Sequence, residues 1–317
     1  MNIGLREAEA FLKNCDNVYI LIHQSPDGDC IGAGFALNDI LRSMGKKSAV
    51  LCCDTFPKKF DFITNIENNA DFTPDTIISV DVADTKLLGK YQEIYGDKVQ
   101  LCIDHHISNT GYAEKTLLDA KASAACEVLY RLVRFMGIEI SDYTAQCLYT
   151  GIATDTGCFR FENAGAETHE TVADIMRNHK LNYAKINREM FDIKSVGMLK
   201  MESAVINVME YYLDGKVTMI CITNELLESL GVDASDLDGC SSLPLKVEGV
   251  EVGITIREKA PDSYKISMRS TGDVNVSEIC RTLGGGGHVK ASGCAMDGNI
   301  EDIKKILVEA VRKGMEL

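Results

Sequence analysis

Short apolar runs alternate with longer segments of helical period through the first half of the chain. NVYILIH (17–23), KKSAVLCC (46–53), DTIISVDVAD (75–84) and VQLCID (99–104) read as strands. GAGFALNDILRSMG (32–45) reads as a helix closed by Gly45, and ASAACEVLYRLVRFMG (122–137) as one closed by Gly137. TAQCLYTGIATDTGCF (144–159) reads as a helix running into a turn, and the N-terminal MNIGLREAEAFLKN as an amphipathic helix. Strands alternating with helices over short links predict a mainly parallel α/β sheet.

The texture changes after about residue 180. Residues 183–211 read as one or two charged helices, and 300–315 as an amphipathic helix. Between them KVTMICIT (216–223), VEVGITIRE (250–258) and YKISMRS (264–270) read as antiparallel strands. The expectation is an α/β domain over 1–190 and a smaller α+β domain over 205–317, joined by a helical linker.

The 317-residue length agrees with two domains, and 45% hydrophobic with 25% charged content is ordinary for a globular chain. No apolar run approaches the roughly 18 residues of a membrane span, and the N-terminus lacks a basic region followed by an apolar stretch. A cytoplasmic protein without membrane contact is therefore expected. The 12 cysteines include no CxxC and fall mostly inside apolar patterns, so they read as buried thiols. A net charge of −14 argues against a duplex-DNA surface. It leaves room for a small phosphorylated substrate whose charge is met by divalent cations.

Four polar islands interrupt the apolar pattern. HQSPDGDC places His23, Asp27 and Asp29 after the first strand, where Pro26 and Gly28 favour a tight turn. SVDVAD places Asp81 at the end of the third strand, and DHH places Asp104, His105 and His106 at the end of the fourth. GIATDTGCFRF places Asp155 before a glycine turn. A single Asp after a strand is usually a cap or turn residue, but four islands at the loop ends of one sheet point to a site. His23, Asp27, Asp29, Asp81, His105 and Asp155 are more ligands than one open catalytic ion uses. Two divalent ions with shared carboxylates fit better. His and carboxylate donors suit Mn²⁺, Mg²⁺ or Fe²⁺ more than a structural zinc. Adjacent side chains on a strand face opposite ways, so His105 and His106 are expected to point in opposed directions.

A fifth island, RTLGGGGHVKASGC (281–294), lies in the second half. Its glycines allow backbone amides to approach a ligand and form an anion nest, with His288 and Lys290 following. Arg269 in SMRS offers a planar fork to phosphate or carboxylate. A flexible hairpin is the plainer explanation of the run. Beside a metal site in the other domain it reads as the second jaw of a cleft.

In this order, HQSPDGD, VDVAD, DHH, TDTG, SMRS and GGGGHVKASG resemble the motifs of the DHH phosphoesterase family with its DHH-associated domain, over nearly the whole chain. The compact length is similar to the subgroup acting as oligoribonucleases and pAp phosphatases. The resemblance implies His23, Asp27 and Asp81 as ligands of one metal, and Asp29, Asp81, His105 and Asp155 as ligands of the other, with Asp81 bridging. It implies His106 as a catalytic, phosphate-contacting residue and Asp104 as the group that fixes the loop or orients a histidine. Arg269, His288 and the nest at Gly285, Gly286 and Gly287 would bind the far end of a nucleotide, with Arg160 a weaker candidate. ASAACEV (122–128) departs from the hydroxyl-rich stretch of relatives, which leaves a substrate contact from that helix open.

The implied activity is two-metal hydrolysis of phosphodiester or phosphomonoester bonds in short nucleotides, releasing nucleoside monophosphates. The metal is expected to be Mn²⁺, with Mg²⁺, Fe²⁺ or Co²⁺ as alternatives. The substrates are short oligoribonucleotides or dinucleotides such as pApA, with pAp and cyclic di-AMP also open, and a homodimer is left open. The rival readings are a family II-like pyrophosphatase, which lacks the glycine-rich motif, and a nucleotide-binding regulator without turnover.

Overall fold

The computed structural model describes residues 1–232, 237 and 239–315. The chain divides into two compact units, Met1–Ile193 and Lys194–Leu317.

The first unit is built on β1 (Val18–Leu21), β2 (Ser48–Leu51), β3 (Thr76–Val80), β4 (Leu101–Asp104) and β5 (Lys115–Leu118). These form one five-stranded sheet in the order β2-β1-β3-β4-β5, with every pair parallel. The helices are α1 (Leu5–Asn14), α2 (Gly28–Ser43), the short α3 (Asp61–Thr64) and α4 (Tyr91–Tyr95), α5 (Ala125–Met136), α6 (Asp142–Asp155), α7 (Ala166–Asn178) and α8 (Tyr183–Asn187). Val18, Ile20, Ile78 and Val80 pack into one core with Phe35, Leu129 and Tyr149, while Tyr19, Leu21, Ile77 and Cys102 pack into another. Burial on both faces explains why these strands are continuous apolar runs rather than alternating ones.

Helices α2 and α6 cross closely because small residues line the contact. A Cβ on Gly32 would lie 2.5 Å from the carbonyl oxygen of Cys147, and one on Gly151 would lie 2.7 Å from Asp29 Oδ1. The crossing therefore holds the start of α2, with Asp29, against the helix that ends at Asp155.

The second unit contains α9 (Val196–Asn207), β6 (Glu210–Tyr212), β7 (Val217–Ile222), α10 (Asn224–Leu230), β8 (Val252–Ala260), β9 (Ser263–Ser270), α11 (Val276–Thr282), β10 (Gly286–His288), β11 (Ala291–Asp297) and α12 (Ile300–Met315). Its six strands run in the order β10-β11-β9-β8-β7-β6. Ile254, Ile256, Ile266 and Met268 pack against Ile279 and Cys280 of α11 and against Ile303, Leu307 and Val311, which recur every four residues on one face of α12. The expectation of antiparallel strands is corrected at one pair: β7 and β8 are parallel. Their connection is a long crossover carrying α10, whereas β8 and β9 join through a tight hairpin and are antiparallel.

The glycine run is also corrected. Gly286–His288 forms an edge strand paired with β11, and the amides of Gly284 and Gly285 donate to the carbonyls of Arg281 and Cys280. Those two amides close the end of α11 and are not free to cradle an anion. Glycine is needed at 285 for closeness: a Cβ there would meet Gly293 O at 2.2 Å. All twelve cysteines are free thiols. Among the described residues, no helix is long and apolar enough to cross a membrane.

Gly32→Ala is expected to force α2 and α6 apart at the backbone. The cost is about 1–3 kcal/mol of stability, read as a lower urea midpoint with unchanged slope.

Candidate metal centre

Three of the four polar islands of the first unit follow strands of the sheet, and the fourth, with Asp155, ends helix α6. His23 follows β1, Asp81 follows β3, and His105 and His106 follow β4. The carboxyl edge of a parallel sheet is where open α/β folds gather ligands. Asp27 is the N-cap of α2, its Oδ1 accepting the amides of Asp29 and Cys30 at 3.1 Å each. Asp29 is fully buried, and its two oxygens accept the amides of Ala125 (2.6 Å) and Cys126 (3.0 Å) at the start of α5. A helix N-terminus is thereby devoted to holding this carboxylate. Asp81 has φ +57°, a left-handed conformation that Asp tolerates better than most residues.

The two metal-type histidines are oriented by backbone. His23 Nδ1 lies 2.8 Å from Gln24 O, and His105 Nδ1 lies 3.2 Å from Ala122 O. Each Nε2 is left to the acids. His23 Nε2 is 3.6 Å from both Asp27 and Asp81. His105 Nε2 is 3.3 Å from Asp155, 3.5 Å from Asp81 and 3.8 Å from Asp29.

Three groups of donor atoms result, each within 4.8 Å of one another: His23, Asp27, Cys30 and Asp81; Asp81, His105 and His106; Asp29, His105 and Asp155. Asp81 and His105 each belong to two groups. Asp81 Oδ1 and His105 Nε2 are buried without a hydrogen-bond partner. Orphaned buried polar atoms are costly, and a shared cation would satisfy both. The donors present fit a pair of hard or borderline divalent ions.

The electrostatics point the same way. Burial, then repulsion from Asp81, pushes Asp29 up to about 7. Burial, then Asp29 and Asp81, pushes Asp155 up to about 9. Asp81 is also opposed by burial, but contacts with His105 and His23 outweigh it and hold its pKa below the usual carboxylate range. Burial disfavours the His105 imidazolium, yet Asp81, Asp29 and Asp155 outweigh it and raise this group to about 10.

Asp104 is buried and organises the DHH turn. Its Oδ1 accepts the amides of His105 (2.8 Å) and His106 (3.2 Å) and His106 Nδ1 (2.8 Å); its Oδ2 accepts Asn109 Nδ2 (2.6 Å). Because β4 ends at Asp104 and the chain turns there, the histidines do not point in opposed directions. Their rings lie 4.5 Å apart, and both approach Asp81. The Asp104 bond, the largest influence, raises the His106 pKa and leaves its Nε2 as the available donor.

The remaining candidates lie elsewhere. Arg160 donates from Nε to Gly157 O at 2.6 Å, with its guanidinium over the Phe191 ring; it belongs to none of the three groups. In the second unit His288 pairs with Ala291, which pairs with Arg269 on its other side. His288 and Arg269 thus stand on one rung and share a face of the sheet. Gly285 precedes that rung, and Gly286 and Gly287 belong to its edge strand. Cys30 was not anticipated. The signal for it was the spacing of Asp27 and Cys30, i and i+3 on one helical face. The hold of α5 on Asp29 joins positions 96 residues apart and left no local trace.

The fold and its clusters define a class: a parallel α/β domain with His and carboxylate groups suited to divalent ions, followed by a mixed-sheet domain. The chain belongs to the DHH family. The model of the DHH family, N-terminal domain, matches residues 17–152, and that of the DHHA1 domain matches 215–313. It is 28% identical over 303 residues to the bifunctional oligoribonuclease and PAP phosphatase NrnA of Thermus thermophilus, covering 93% of this chain and 89% of that protein. Among solved structures, an exopolyphosphatase-related protein from Bacteroides fragilis superposes with a TM-score of 0.89 at 25% identity, covering 98% of this chain and 95% of that one. RecJ from Thermus thermophilus in complex with Mn²⁺ shares the fold at a TM-score of 0.54 and 13% identity, covering 99% of this chain and 55% of that one.

A cation entering the site must displace protons from Asp29, Asp155 and His105, whose pKa values stand at about 7, 9 and 10. Metal affinity is therefore expected to rise with pH between about 6 and 11 and to fall on acidification. Titration calorimetry with Mn²⁺ at pH 7, in buffers of different ionisation heat, should show at least one proton released. Zero release would show that these groups are already deprotonated.

Proposed function

We propose that this chain is a two-metal phosphoesterase that hydrolyses short nucleotides, such as pApA and very short RNA, to nucleoside monophosphates. The observation that carries the reading is Asp81: a buried carboxylate, approached by His23, His105 and His106, with one oxygen unpartnered. That is the placement a bridging ligand requires. The similarity to a relative named oligoribonuclease and PAP phosphatase supports the substrate class. Activity on pAp or cyclic di-AMP belongs to the same proposal.

His23, Asp27 and Asp81 would hold one ion, and Asp29, Asp81, His105 and Asp155 the other, with Mn²⁺ proposed first and Mg²⁺, Fe²⁺ or Co²⁺ as candidates. Bound divalent ions supply Lewis-acid activation of water and neutralise charge on the phosphoryl oxygens. The chain's own groups do the rest. Asp104 fixes His106 so that Nε2 meets a phosphate oxygen or gives its proton to the leaving oxygen as the P–O bond breaks. Arg269, His288 and the strand at Gly285, Gly286 and Gly287 are proposed to bind the remote part of the nucleotide, with Arg160 a further candidate. A cytoplasmic location, no duplex-DNA binding and no membrane contact complete the proposal, and the net charge of −14 supports the second of these.

The test is monophosphate release from pApA, short RNA, pAp and cyclic di-AMP, with and without Mn²⁺. No release from any of them with any candidate ion would overturn the reading. Within that panel, Arg269→Ala and His288→Ala are expected to lower kcat/KM for pApA by about one to two decades. Hydrolysis of bis-p-nitrophenyl phosphate should change far less, because remote binding energy acts only on substrates that reach it.

The histidines should separate by role. His105→Ala is expected to lower metal occupancy, and His106→Ala to keep occupancy while slowing turnover. Equal metal loss in both variants, measured by elemental analysis, would contradict that division.

A further inference from the structure

The first island contributes a donor that the family motifs do not include. Cys30 Sγ lies with His23 Nε2 and with oxygens of Asp27 and Asp81 in one set, all within 4.8 Å of each other. Two edges of that set, His23 to Asp27 and His23 to Asp81, are 3.6 Å long. Ligands about 2.0–2.3 Å from a tetrahedral ion stand roughly 3.3–3.8 Å apart, so the spacing suits one ion at the centre. Within the cluster the sulfur also meets the His23 ring as a hydrogen-bond partner, and outside it the sulfur has little else to do. Its one hydrogen bond to backbone in this region is a long 3.6 Å contact with Asp27 O, in the first turn of its own helix.

We propose that Cys30 supplies a sulfur ligand to the ion held by His23, Asp27 and Asp81, so that this position favours a thiophilic divalent ion (Zn²⁺, Co²⁺ or Fe²⁺) over Mg²⁺ or Mn²⁺. The proposal rests on the two-metal reading above and replaces its Mn²⁺-first assignment at one of the two positions, leaving it in place at the other. The other group, Asp29, His105 and Asp155, offers only nitrogen and oxygen and carries no such preference. The plainer role for Cys30 is a small apolar filler, and it does belong to the core of the first unit. A filler has no need to face a histidine and two carboxylates. On coordination the S–H proton leaves to solvent and the thiolate bonds the ion. The position of Cys30 in the first turn of α2 favours that thiolate.

The test uses the full chain, stripped with a chelator and reloaded. With Co²⁺, the wild type should show a near-ultraviolet sulfur-to-cobalt charge-transfer band, absent in both Cys30→Ala and Cys30→Ser. Zn²⁺ affinity should fall about 10–100-fold in these variants, with Mn²⁺ affinity nearly unchanged. X-ray absorption on the zinc-loaded wild type needs no variant and should show sulfur at about 2.3 Å. Cobalt bound without the band, or a band that survives in both variants, would overturn the sulfur ligand and leave the two-metal reading standing. Failure to bind any cobalt would overturn both.

Discussion

Like-charge repulsion among Asp29, Asp81 and Asp155 is the constraint around which the first unit is arranged. These carboxylates meet at the rim of an apolar sheet, where little water screens them. The chain answers each differently. Asp29 is given two amides of α5, Asp81 is given histidines from two loops, and Asp155 is left to burial and repulsion that raise its pKa. The docking of α5, the turn organised by Asp104 and the close crossing of α2 with α6 all follow from where those charges must be held. A centre of this kind is unfinished without cations.

Much of this was legible in the sequence because parallel strands buried on both faces leave a plain trace. Their apolar runs stop abruptly at polar residues, His23, Asp81 and Asp104. The structure places each of those residues at the sheet edge. The illegible parts have equally physical causes. β10 is made of glycines and a histidine, so it has no alternation of side chains to betray it. β5, KTLL, is as short as β1, β2 and β4 but is only half apolar and half buried, so no continuous apolar run separates it from a loop. The parallel direction of β7 and β8 lies in the connection between them and not in either strand. Opposed directions for the adjacent histidines require a strand that continues through them, whereas Asp104 draws both of the next amides into a turn.

The second unit shows how a composition signal can mislead. Four consecutive glycines suggest freedom, yet Gly285 is fixed by the hydrogen bond its N–H donates to the Cys280 carbonyl of α11 and by the approach of Gly293. Absence of a side chain here serves contact between backbones. The face that results carries His288 and Arg269 on one rung, a more definite arrangement than a loose loop would give.

The left-handed backbone of Asp81 bears on how such a protein can change over generations. Gly adopts that conformation freely and Asn tolerates it, and neither brings a buried negative charge. Either replaces Asp through a single base change in its codon. A lineage that lost this carboxylate would give up its chemistry and keep its fold, with strain or charge relieved in the exchange. Cellular abundance would then say nothing about activity. Silent copies could persist at full length, free to be recruited as sensors of the nucleotides their ancestors destroyed.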